Sequence, residues 1–305
     1  MSACSSGTCS FTCNTNYANC DNNPSNGCEV DTLTNSSHCG ACGIPCPGGQ
    51  ACLNGTCSAG SIPPLNGTQS NDIVRGSTQN DLFADPVTGK VYWHSSYVGS
   101  QILEYTNIAN FVSNVNATTI NLANQYEGTY HAALNGFIYY NIYNTNTMVK
   151  VSAANGQVVS SAPLAGAGYH NQSDWQWGGY SDICFYTDTG NLLYVLYAAP
   201  GGGNIQIARL DPNSLALQQN WSIPRAKQST GYAFLVNGNF YIGYNYTSPA
   251  INAKFNLATS TYDTSYTNSL TPVSGDYINS LYWDPTSKRL FEVTNSHHLI
   301  YPSVQ

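Results

Sequence analysis

A chain of 305 residues with 42% apolar and 12% aromatic side chains is long enough to bury a core and too apolar for a disordered polymer. Its net charge of −7, with only nine Lys plus Arg, excludes a nucleic-acid surface and a polybasic membrane patch. No apolar run approaches the roughly 20 residues that span a bilayer, so no membrane span is expected.

Ten of the eleven cysteines fall at the amino-terminal end. Cys4, Cys9, Cys13, Cys20, Cys28, Cys39, Cys42, Cys46, Cys52 and Cys57 are expected to form five disulfides in a module of residues 1–57. Large apolar side chains are scarce there, so crosslinks must replace a core. Ten cysteines pair in on the order of a thousand ways, and no connectivity follows from the sequence. A zinc site in HCGACGIPC, from His38, Cys39, Cys42 and Cys46, is the rival reading. The cysteines are too many and too evenly spread for one tetrahedral centre. The opening MSACSSGTCS lacks the basic start and apolar core of a signal peptide, so export would require processing or sequence ahead of this numbering. The blocks NGCE (26–29), HCGACGIPC (38–46) and GQACLNGTC (49–57) resemble a cysteine-rich repeat of microbial secreted proteins. That resemblance implies a spacer or a surface-exposed module.

Residues 58–71, SAGSIPPLNGTQSN, are rich in Pro, Gly and Ser and read as a linker. Asn-x-Ser/Thr acceptors occur at Asn35, Asn54, Asn66, Asn116, Asn171, Asn220 and Asn245. Together with the cysteines they point to an extracellular glycoprotein, secreted or held at a cell surface.

From residue 72 onward a hairpin pattern repeats: DLFADPVTGKVYW, HAALNGFIYY, ICFYTDTGNLLYVLY, AFLVNGNFYIGY and SLYWDPTSKRLF. The β-branched and aromatic bias and the turn residues support strand pairs. Further strand pairs follow, as in MVKVSAANGQVV and IQIARLDPNSLAL. Turn residues Gly89, Gly136, Gly190, Gly238 and Lys288 are spaced by 47, 54, 48 and 50 residues. A period near 50 with four strands per repeat predicts an all-β fold, a five-bladed β-propeller over residues 72–305.

Five blocks inside this domain carry a further resemblance: EGTYHAALNGFIYYN from Glu127, GAGYHNQSDWQWGGYSDI from Gly166, GNIQIARLDPNSL from Gly203, GYAFLVNGNFYI from Gly231 and YINSLYWDPTSKRLFEV from Tyr277. Their content and order resemble the olfactomedin domain, from about Asp72 to Tyr301. The resemblance implies a five-bladed propeller with an extracellular, non-catalytic role in adhesion, matrix organisation or receptor binding. Many members hold calcium in the central channel, through three positions that read here Cys184, Tyr232 and Tyr282. Calcium needs six to eight hard oxygen ligands, which a thiol and two phenols do not supply, and Asp182 alone is retained. No metal and no cofactor is therefore expected, and these side chains and water are expected to fill the channel. The family's disulfide is also missing, its carboxy-terminal half falling at Asn237. Cys184 is left unpaired, a buried thiol with nothing basic in the adjacent sequence to lower its pKa.

Chemistry-bearing residues are few. His131 reads as a hydrogen-bonded core residue, and the adjacent His297 and His298 face opposite ways on a strand. Carboxylates Glu127, Asp174 and Asp182 could in principle form a glycosidase pair, with Trp175 and Trp177 beside Asp174 as sugar-stacking candidates. The plainer reading makes Trp177 a core residue and Asp174 a turn cap. The sequence thus points to a protein that is not an enzyme, acting in matrix, adhesion or assembly, with an extracellular filament subunit as the sharper form. Its expected partners are other extracellular proteins, copies of itself, or glycans; the alternative is a carbohydrate-active or glycan-binding propeller.

Overall fold

The computed structural model describes residues 2–5, 8–21, 23–33, 35, 37–46, 51–53, 55–58, 71–74, 80–188, 190–248, 250–269, 277–284, 289–295 and 297–302. Two compact units divide the chain, residues 1–62 and 63–305.

The first unit has three two-stranded ribbons, among them Tyr17–Ala18 with Val30–Asp31 and Ala51–Leu53 with Thr56–Ser58. Its buried apolar side chains among the described residues are only Val30, Cys39 and Cys52. Among the described residues four disulfides join Cys13 to Cys28, Cys20 to Cys42, Cys39 to Cys52 and Cys46 to Cys57. The backbone register sets Cys4 opposite Cys9, whose side chains lie outside the described set.

The second unit is the five-bladed propeller. Blade 1 is an antiparallel meander of Asp81–Ala84, Val91–His94, Val98–Tyr105 and Thr118–Glu127. Blades 2 to 4 repeat it from inner strands Ala132–Leu134, Cys184–Asp188 and Tyr232–Val236. Blade 5 takes Ile278–Asp284, Arg289–Thr294 and His297–Pro302, and its fourth strand is Asn71–Val74, which pairs Ile73 with His298. The ring is therefore closed by hydrogen bonds between the two ends of the domain. The inner strands neighbour one another around it, blade 5 meeting blade 1.

Two of the hairpin turns show their local cause. In blades 2 and 4 the turn residues Asn135 and Gly136, and Asn237 and Gly238, all have positive φ. This is the type I′ geometry that Asn-Gly supplies and that matches the strand twist. Of the five turn residues that mark the period, Lys288 lies outside the described residues.

Burial runs outward from the channel. All residues of Cys184–Asp188, Tyr232–Val236 and Ile278–Asp284 are buried, whereas those of Val158–Pro163 on the outer edge of blade 2 are exposed or half-buried. One apolar cluster joins blades 5, 1 and 2 and includes Phe83, Tyr105, Phe111, Tyr140 and Phe291. Another joins blades 2 and 3 around Leu134, Phe185 and Leu210.

Two aspartates pin successive blades together. At the end of blade 1's inner strand, Asp85 accepts from Asn135 N–H at 2.9 Å and Gly136 N–H at 2.6 Å in the blade 2 turn. At the end of blade 3's inner strand, Asp188 accepts from Asn237 N–H at 3.1 Å and Gly238 N–H at 2.6 Å in the blade 4 turn.

Candidate functional site

The three positions of the family's calcium ligands, Cys184, Tyr232 and Tyr282, are all buried. The Cys184 thiol donates to the Ser181 carbonyl at 3.4 Å. Tyr232 lies back over Gly243 of its own blade, and its hydroxyl reaches the Ala250 carbonyl at 3.0 Å. Tyr282 crosses the channel: its hydroxyl donates to Ala84 of blade 1 at 2.7 Å and sits 3.0 Å from Thr187 Oγ1 of blade 3. All three polar atoms are committed to protein acceptors, and none is the hard anionic oxygen that calcium requires. These residues do not fit a calcium ion.

A cation of the protein's own lies nearby. The ammonium of Lys227 is buried, 4.3 Å from the centre of the Trp175 ring, and donates to the carbonyls of Ser173 and Ser181. Burial lowers its pKa, while Cys184, Asp182 and Asp174 oppose that shift. This corrects the expectation for Cys184, because a basic residue 43 positions away in sequence is brought beside it. Burial still outweighs the lysine and pushes the thiol up to about 11, away from the thiolate form that nucleophilic attack requires.

Two of the three candidate glycosidase carboxylates, Asp182 and Glu127, are occupied by backbone amides, while half-buried Asp174 faces the Gln228 side chain. Asp182 accepts from Asn171 N–H at 2.8 Å and from Ser173 N–H at 2.6 Å. Glu127 accepts from Asn144 N–H at 2.6 Å and from His170 N–H at 2.7 Å, with His170 Nδ1 at 3.2 Å. Burial raises the pKa of Glu127 and of Asp174. The tryptophans are placed differently from expectation. Trp175 is the buried core residue, whereas Trp177 is half-buried and donates to the Gly231 carbonyl at 3.1 Å. Ser181, not Asp174, ties the turn, accepting from Trp175 N–H at 3.0 Å and donating to Gly178 at 2.7 Å.

A second polar cluster sits where blade 1 meets the start of blade 2, and it includes two residues that the sequence reading passed over. Asp81, His94 and His131 are all buried. His94 Nε2 is 2.8 Å from His131 Nδ1, and Asp81 Oδ2 is 3.6 Å from His131 Nδ1 and 3.9 Å from His94 Nε2. Two ring nitrogens at that distance hold one proton between them. Asp81 also accepts from His131 N–H at 2.8 Å and from Ser280 Oγ at 2.8 Å. Burial favours the uncharged form of each group: it pushes Asp81 up to about 6 and His131 down to about 4, and holds His94 well below the usual imidazole range. His131 is a hydrogen-bonded core residue here. The signal for its partner was available, since Asp81 precedes His131 by 50 residues, one blade period.

His298 is buried and His297 half-exposed, as opposite faces of a strand require. Among the sequons, Asn116, Asn171, Asn220 and Asn245 are exposed and Asn35 is half-buried, while Asn54 and Asn66 lie outside the described residues.

The sequence profile of the olfactomedin-like domain matches residues 62–304. Myocilin of Homo sapiens is 29% identical over 222 residues, covering 71% of this chain and 44% of that protein. Myocilin of Bos taurus is 27% identical over 221 residues, covering 72% of this chain and 45% of that protein. The match thus spans less than half the length of these curated relatives. The crystal structure of Myxococcus xanthus glutaminyl cyclase superposes with a TM-score of 0.50 at 12% identity, over 78% of this chain and 97% of that one. That likeness is one of fold alone.

Proposed function

This chain belongs to the olfactomedin-like domain family over residues 62–304, and from that premise we propose that it acts outside the cell without catalysis, as an adhesion or matrix component and, more sharply, as a subunit of an extracellular filament. Its partners are other extracellular proteins or copies of itself. The disulfide-rich module of residues 1–57, the linker 58–71 and the propeller 72–305 are the parts it would use. Four disulfides suit an oxidising compartment, and among the described residues no helix is long and apolar enough to cross a membrane.

The observation that carries the non-catalytic reading is the use made of Glu127 and Asp182. Each is buried and bound to two backbone N–H groups, so neither is free to exchange a proton with a substrate. Trp175, buried under the lysine, offers no face to a sugar. Incubating the full chain with a panel of α- and β-linked oligosaccharides is expected to release no reducing ends. Hydrolysis that Glu127→Gln abolishes would overturn the reading in favour of a carbohydrate-active propeller.

A further inference from the structure

We propose that Asp81, His94 and His131 form a binding site for one first-row transition-metal ion, zinc by preference, that ties blade 1 to the start of blade 2. This departs from the expectation of no metal, and it uses none of the family's calcium positions.

Geometry is the first argument. The candidate ligand atoms Asp81 Oδ2, His94 Nε2 and His131 Nδ1 are separated by 2.8, 3.6 and 3.9 Å. Tetrahedral zinc, with bonds near 2.0–2.1 Å, holds neighbouring ligand atoms roughly 3.3–3.4 Å apart. The observed separations straddle that value, and the two imidazoles would part by about half an ångström to admit the ion. Donor chemistry is the second argument. Two imidazoles and one carboxylate suit zinc, cobalt, nickel or copper, and provide far too few oxygens for calcium.

The surroundings already hold the ligands as an outer shell would. His131 Nε2 lies 3.3 Å from the Glu127 carbonyl, which keeps a proton on Nε2 and a lone pair on Nδ1. Asp81 Oδ1 is fixed by Ser280 Oγ at 2.8 Å and Leu82 N–H at 3.0 Å. With His131 Nδ1 accepting, His94 must donate from Nε2, which turns a lone pair of its Nδ1 toward the Ser96 carbonyl, an acceptor that favours a proton there. Metal binding resolves this. The ion takes both facing lone pairs, and the His94 proton moves from Nε2 to Nδ1, so the imidazole pair loses no proton. A cleft of about 350 Å³, walled by Trp93, His94, Ser96, Gly99, Gln101 and Tyr126, lies on the His94 side of the cluster. Three protein ligands leave one position for water.

The test uses the full chain, stripped with chelator and then exposed to zinc, cobalt(II) or calcium. One equivalent of zinc per chain should survive gel filtration, and cobalt should give the intense visible bands of a tetrahedral site. Zinc should raise the propeller's melting midpoint and calcium should leave it unchanged. His131→Gln should weaken zinc binding on the order of 100-fold or more. In the wild-type chain, zinc should shift the ¹⁵N resonances of the His94 and His131 rings, a readout that does not depend on the variant folding. Failure to retain zinc, stoichiometric zinc in a folded His131→Gln chain, an equal response to calcium, or ring shifts confined to other histidines would each overturn the proposal.

Discussion

Thiol reduction should unfold residues 1–62 and leave the propeller's melting transition where it was. The first unit buries almost nothing apolar: Val30, Cys39 and Cys52 are its buried hydrophobic residues among those described. The four bridges among its described residues join cysteines 15, 22, 13 and 11 residues apart. Closing a loop of such a length contributes about 3 kcal/mol by restricting the unfolded chain. A unit of some 60 residues without a core has no comparable term to offset the loss of four such links. The propeller contains a single cysteine, Cys184, which is free, so reduction removes nothing from it. Limited proteolysis after reduction should degrade the amino-terminal unit and leave a resistant fragment beginning near Pro63. Joint loss of both would show that the two units do not fold independently, and the boundary would be wrong.

Within the propeller, Asp85→Ala should be strongly destabilising. Asp85 is fully buried and accepts from four backbone N–H groups: Val87 and Thr88 in its own turn, and Asn135 and Gly136 in the next blade. Bonds to a carboxylate are stronger than neutral ones, and each buried donor left without an acceptor costs about 1–3 kcal/mol. Water entering the space would satisfy some of the four. A net loss of about 3–5 kcal/mol is expected, enough to lower the midpoint of a domain this size by on the order of 10 °C. Asp263, half-buried and bonded to Ser265 within its own blade, is the control. Asp263→Ala should leave the midpoint unchanged. Equal effects of the two variants in calorimetry would show that the blade-to-blade carboxylate contact carries no special weight.

The sequence made the blades legible because each one repeats a local pattern. Alternating β-branched and aromatic residues, interrupted by Asn-Gly, Asp-x-Gly or Asp-x-x-x-Gly turns, recur at a spacing that survives without any knowledge of packing. Contacts between blades were less legible. The pairing of Ile73 with His298 joins residues 225 positions apart, and nothing local in Asn71–Val74 announces it. The placement of Lys227 beside Cys184 is likewise a product of ring geometry, which brings the end of blade 3 against the loop before it. Asp81, His94 and His131 lay between these cases. Asp81 and His131 are one period apart, as are Asp85 with Asn135 and Asp188 with Gly238, so the repeat itself encodes which residues of neighbouring blades meet. Tyr282 shows the limit of the resemblance. Its motif identified the position, but only the fold shows its hydroxyl crossing to Ala84 and Thr187.

Assembly is where the functional reading is most exposed to test. A contact between two different surfaces, the disulfide-rich unit of one copy and the propeller of the next, propagates into a filament unless a rotation closes it into a ring. Electron microscopy of the oxidised full chain, beside a chain beginning at Pro63, measures this directly. Repeating polymers from the full chain and single propellers from the shorter one are the expected result. Isolated monomers of the full chain at every concentration, or polymers that still form without residues 1–62, would contradict it.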